Sequence, residues 1–145
     1  MTLMHLKTLL IMTLLCASQV YAFTPGSDEA IEHWAKQFKH SSLTHAEITK
    51  ELMWFRDKAS KFKGKTINSV AEGIKTHRWE SDVLAKAFYE ITGVRVKHDI
   101  KGEGAVVEAL MKQLTSGKAL YDIYVSDADL IGTHMRIDST VNLSR

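Results

Sequence analysis

Residues able to grip a small polar ligand gather at three places. The loop Glu72-Gly73-Ile74-Lys75-Thr76-His77 follows one apolar run, with Trp79 just after it. The triplet Gly102-Glu103-Gly104 follows a second run, and Ser126-Asp127-Ala128-Asp129 follows a third. Ionised carboxylates only accept hydrogen bonds, so Asp127 and Asp129 suit the vicinal hydroxyls of a sugar or polyol. Asp-x-Asp spacing also occurs in the metal site of nucleotide-sugar transferases, but no nucleotide cradle accompanies it here. Ser126 or Asp127 could equally cap a short helical turn over residues 128–132, and one side chain can do both. Trp79 offers a stacking face for a sugar ring, or else fills the core.

The glycine triplet invites a dinucleotide reading, which needs a third small residue where Val107 stands, and Glu103 would repel a pyrophosphate. Two other readings stay open: a tight turn, or backbone amides that contact a neutral or anionic ligand group, with Glu103 beside them. Six histidines (His33, His40, His45, His77, His98 and His134) lie beyond residue 22 without HExxH or paired spacing. The lone cysteine, Cys16, allows no internal disulfide and no zinc set. There is no GxSxG elbow and no P-loop, so nothing supports catalysis and no cofactor is implied.

The elements that must position these residues alternate in type. Residues 66–71, 94–100 and 120–125 read as strands, the last of them buried, and residues 79–92 and 105–116 read as amphipathic helices between them. Gly93 suits the left-handed position that ends the first of these helices. The order βαβαβ predicts a three-stranded parallel core made by two right-handed crossovers, with ligands beyond the carboxyl ends of the strands. Two helices precede it, like an arm that packs on another surface. Ser27 or Asp28 caps the first, whose stripe is Ile31, Trp34, Ala35 and Phe38. Thr44 and Glu47 form a capping box for the second, with Leu43 and Ile48 as a staple. Its expected buried face is Ile48, Leu52, Phe55, Ala59 and Phe62, and Lys63-Gly64-Lys65 breaks it.

With 145 residues, 45% of them hydrophobic and 25% charged, the composition is that of a globular chain. A net charge of +2, from 19 basic and 17 acidic side chains, gives no footprint for nucleic acid or an anionic membrane. Residues 1–22 read as a secretory signal peptide: His5 and Lys7, the apolar run 9–15, then Val20-Tyr21-Ala22 before the cleavage point. A lipid anchor on Cys16 would want small residues where Leu14 and Leu15 stand. Cleavage after Ala22 leaves a cysteine-free chain.

Several runs resemble the amino-terminal part of the extracellular solute-binding proteins of bacterial ABC importers, of the sugar or polyol type. They are Phe62-Lys63-Gly64-Lys65-Thr66-Ile67, Thr76-His77-Arg78-Trp79-Glu80-Ser81, Phe88-Tyr89-Glu90-Ile91-Thr92-Gly93-Val94, Gly102 to Glu108, and above all Tyr121 to His134. The resemblance implies a non-enzymatic periplasmic receptor of two α/β lobes that traps solute and docks on membrane permease subunits. Here it implies a partial type II binding-protein lobe over residues 63–145, behind a helical arm at 23–62. The cleft-facing residues it implies are Glu72, Thr76, His77, Ser126, Asp127 and Asp129. Such proteins are several times longer, so a truncated product of poor stability is expected. The alternatives are an exported, non-catalytic interaction module or an inactive remnant of a binding protein.

Overall fold

A computed structural model describes residues 23–125, together with Gly132 and Arg136. Ser126, Asp127 and Asp129 lie outside the described residues.

The helices begin where local chemistry tells them to. Ser27 accepts a hydrogen bond from the Ala30 amide at the start of α1 (Asp28–Gln37). At the start of α2 (His45–Ala59), Thr44 and Glu47 satisfy each other's backbone amides in a complete capping box. The α1 stripe buries Ala30, Ile31, Trp34 and Ala35. On α2 only Ile48 and Leu52 are buried, whereas Phe55 and Phe62 remain exposed, against the sequence expectation. The reason is geometric. The helix ends at Ala59 and a 3-10 turn, Ser60–Phe62, takes over, so Phe62 leaves the 3.6-residue stripe.

Strand β1 (Thr66–Glu72) leads into one continuous helical run of three pieces. These are α3 (Lys75–Trp79), a π-helical turn (Glu80–Leu84) and α4 (Ala85–Thr92), and the wide turn is marked by the bond from the Ala85 amide to the Glu80 carbonyl. The helix therefore starts four residues earlier than the sequence predicts. Thr76 and His77 stand on its first turns, not in a loop. Gly93 ends α4 at φ 75°, as expected. Strand β2 (Arg95–Lys101), α5 (Glu103–Ser116) and β3 (Ile123–Tyr124) complete the described chain.

The sheet is parallel and its order is β2-β1-β3. Strand β3 is shorter and more open than the expected buried strand: Ile123 is 49% exposed and Leu120 is exposed too. The cause is Gln113. Its side-chain carbonyl accepts from the Leu120 and Tyr121 amides, and its amide donates to the Tyr121 carbonyl. Those backbone groups are thereby taken from the ladder.

The helical pair does pack on a surface, and that surface is α4. Ile31, Trp34, Ala35, Ile48, Leu52, Ala87 and Ile91 form the main buried cluster. Inside it the Trp34 indole donates to the Glu90 carboxylate at 2.9 Å, with Glu90 wholly buried. A second buried set, Val70 and Ala71 of β1 with Val106 and Leu110 of α5, lies within the α/β part.

Candidate functional site

Strand order decides where a ligand can sit. From β1 the chain crosses to β2 on one side, then passes back to β3 on the other. Crossovers that leave in opposite directions open a crevice beyond the carboxyl ends of β1 and β3. The Val125 amide donates to the Val70 carbonyl at 2.9 Å, so the chain leaves β3 at the same end as Glu72.

The β1 tip is built around one carbonyl. Glu72 O accepts from the Ile74 amide and from His77 Nδ1, both at 2.9 Å. A carbonyl can only accept, so Nδ1 carries the proton and the neutral ring offers Nε2 as an acceptor. The Gly73 amide extends the ladder to the Lys101 carbonyl at 2.8 Å. A methyl group on Gly73 would lie 3.0 Å from an Arg78 Nη, so the guanidinium covers this turn. Ile74 supplies no side-chain cap to α3. The tip thus presents a carboxylate, an imidazole acceptor, a guanidinium and first-turn amides. That set can hydrogen-bond a neutral polyhydroxylated molecule from several directions.

Glu103 stands at the same end of the sheet but beyond β2, on the far side of β1 from β3. It is the first residue of α5 and is exposed. The glycines around it are not a tight turn: Gly102 is the N-cap in an extended conformation, with φ −68° and ψ 151°. Nothing lies within 4 Å of a Cβ built on Gly102 or Gly104. The helix start is therefore open to close approach. Trp79 is neither core nor rim. Half exposed, it lines a groove of about 430 Å³ with Phe38, Leu43, Phe55 and Leu84, apart from Glu72, Thr76 and His77.

Three polar groups escaped the sequence reading. Arg78 was given no role from the sequence, and its guanidinium lies over the Gly73 turn. The His98 ring on β2 is only 8% exposed, with Nε2 3.6 Å from a Glu80 carboxylate oxygen and Nδ1 buried without a partner. Glu80 belongs to the π-helical turn, a feature common at functional sites. Asp99 accepts from the Tyr121 hydroxyl at 2.5 Å and pairs with Lys101 at 3.0 Å, tying β2 to the chain ahead of β3. Among the described residues, no three of His, Cys, Asp or Glu come together as for a metal ion.

The Tyr121 hydrogen bond, and then Lys101, hold the Asp99 carboxyl below its ordinary range, and the same hydrogen bond to Asp99, helped by burial, raises the Tyr121 hydroxyl. A carboxyl depressed on folding stabilises the fold above its unfolded value of about 3.9 and loses that contribution as pH falls through the folded value. Wild type is therefore expected to lose more stability than Asp99→Asn on acidification below about pH 4, as urea titrations at stepped pH would measure. Parallel losses in the two proteins would exclude this link.

No family model, no curated protein and no solved structure matches the chain.

Proposed function

We propose that this chain binds a carbohydrate or polyol at the crevice between the β1 and β3 tips. It does so as the first α/β lobe of a periplasmic solute-binding protein that delivers its solute to ABC permease subunits, and it carries out no catalysis. The observation that supports this reading is the parallel order β2-β1-β3, which sets the Glu72–His77 tip beside the exit from β3. The tip's own groups favour a neutral solute, because acceptors and donors alternate along it. Glu72 offers a carboxylate to hydroxyl donors, His77 Nε2 accepts and Arg78 donates, and Asp127, which follows β3 in the sequence, would supply a second carboxylate. Thr76 adds a hydroxyl, and Ser126 and Asp129, which follow β3 in the sequence, would add a hydroxyl and a further carboxylate, whereas Glu103 stands beyond β2 and would serve only a solute that extends that way.

Isothermal titration with glycerol and a panel of mono- and disaccharides tests it. One of these is expected to bind saturably, and Glu72→Gln, His77→Ala and Asp127→Ala are each expected to weaken it by about tenfold to a hundredfold, the worth of one or two hydrogen bonds to a charged or buried group. Unchanged affinity in all three variants would remove the site from the β1–β3 crevice.

A second reading, an exported interaction module, is favoured by one observation. Among the described residues the short strand β3 stands at the edge of the sheet and exposes Ile123, the place where a further strand would be added. A peptide that protects the Ile123 and Tyr124 amides from exchange, with no solute bound, would favour that reading over the first.

A further inference from the structure

Strand β2 is the other edge of the sheet among the described residues, across β1 from the proposed solute crevice. The Arg95 amide bonds the Lys65 carbonyl and the Lys101 carbonyl accepts from the Gly73 amide, both toward β1. Backbone groups alternate in direction along a strand, so Arg95, Lys97, Asp99 and Lys101 turn theirs to β1. Val96, His98 and Ile100 turn theirs outward, where they have no hydrogen-bond partner among the described residues. We infer that β2 pairs antiparallel with β2 of a second copy of this chain, about a twofold axis at His98.

The register follows from the residues on the strand. This axis sets Val96 opposite Ile100 of the copy and His98 opposite itself. Outward groups then meet outward groups along the whole edge, and each such pair exchanges both of its N–H···O bonds. Between them Lys97 falls opposite Asp99 of the copy, and symmetry makes the contact twice. Lys97 is exposed and has no ion pair among the described residues. Asp99 uses Oδ2 for both the Tyr121 hydroxyl and the Lys101 ammonium, which leaves Oδ1 for an incoming lysine. At the ends Arg95 lies opposite Lys101, the one already engaged by the Tyr89 ring and the other by Asp99.

Other registers are worse. A slip of one residue sets outward backbone groups against inward ones, and the ladder is lost. A slip of two sets Lys97 against its own copy in one direction and against Lys101 in the other. Lysine on an edge strand usually guards against pairing, and Lys97 alone would do so. Asp99, two positions on, turns that guard into a contact between identical edges. The opposite face of the strand agrees, because it sets half-buried Val96 against Ile100 of the copy. The buried His98 ring, whose Nδ1 lacks a partner, would lie beside its own copy at about 5.5 Å between Cα atoms.

The experiment is sedimentation of the full chain over a wide concentration range, with amide hydrogen exchange followed by NMR at its two extremes. The expected result is a monomer–dimer equilibrium. In the dimer the Val96, His98 and Ile100 amides gain about tenfold protection or more. Lys97→Glu sets carboxylate against carboxylate and is expected to raise the dimer dissociation constant by about tenfold or more. Lys97→Arg stays near wild type. Val96→Pro removes an outward amide, leaves the β1 ladder untouched and is expected to abolish the dimer. Should it fail to fold, the Lys97 pair decides. A chain that is monomeric at every concentration overturns the inference. So does a dimer that Lys97→Glu leaves unchanged, or protection gained at the Ile123 and Tyr124 amides in place of the β2 edge.

Discussion

Glu90→Ala is expected to lower the unfolding free energy by about 2–4 kcal/mol, among the largest losses from one side chain in this fold. Glu90 has no exposed surface, and its carboxylate accepts the Trp34 indole N–H across the α1–α4 contact. Removing it leaves a buried donor unpaired and opens a void beside the indole. Each effect alone costs on the order of 1–3 kcal/mol. Glu90→Gln keeps an acceptor oxygen and most of the volume, so its loss is expected to be less than half as large. Urea unfolding with an unchanged m-value measures both. The double variant Trp34→Phe with Glu90→Leu removes donor and acceptor together. It is expected to be more stable than the sum of the single losses implies, by about 1 kcal/mol or more. Additive losses would mean that the indole–carboxylate bond contributes little.

Gly93→Val is the second large effect, expected at about 2–4 kcal/mol. Gly93 sits at φ 75°, where a β-branched side chain is strained, and its new Cβ would meet the Lys63 stem at 2.7 Å. Its amide also donates to the Tyr89 carbonyl and its carbonyl accepts from Gly64, so the backbone cannot relax without breaking a bond. Gly93→Asn tolerates the left-handed conformation better and is expected to lose about half as much. Gly104→Ala goes the other way. It lies in the first turn of α5 with open space around a new methyl, and is expected to gain about 0.5 kcal/mol. A thermal melt of the three variants beside wild type orders them, and Gly93→Val no less stable than Gly104→Ala would contradict the argument.

What the sequence revealed was local. Ser27, Thr44 with Glu47, and Gly93 act on backbone groups a few residues away, and each occupies the cap position that its type predicts. The βαβαβ order followed from the alternation of apolar runs, and the structure agrees with a three-stranded parallel sheet. What escaped depends on distant partners. The start of α3 carries no capping side chain, since Ile74 occupies that place, so nothing in the sequence marked it. The shortness of β3 is imposed by Gln113, seven and eight residues earlier, through bonds that no strand pattern encodes. Glu90 did leave a trace. Val83, Ala87 and Glu90 fall at i, i+4 and i+7, so a carboxylate occupied a core position, and Trp34 was an available donor. Of the site, Glu72 and His77 share one tip as expected and Glu103 lies past the neighbouring strand. Trp79 belongs to a different face.

The wide helical turn at Glu80–Leu84 acts as a phase adjuster between two surfaces that must both be met. It carries one residue more than regular winding requires, so loss of a single residue there could restore ordinary winding without breaking the helix. Because the surplus residue is absorbed within the turn, its removal is expected to leave His77 and the Ala87–Ile91 face in nearly their present orientation and to move Glu80, the residue beside His98. A one-residue deletion in this turn should therefore spare both the fold and the His77 contact while separating Glu80 from His98.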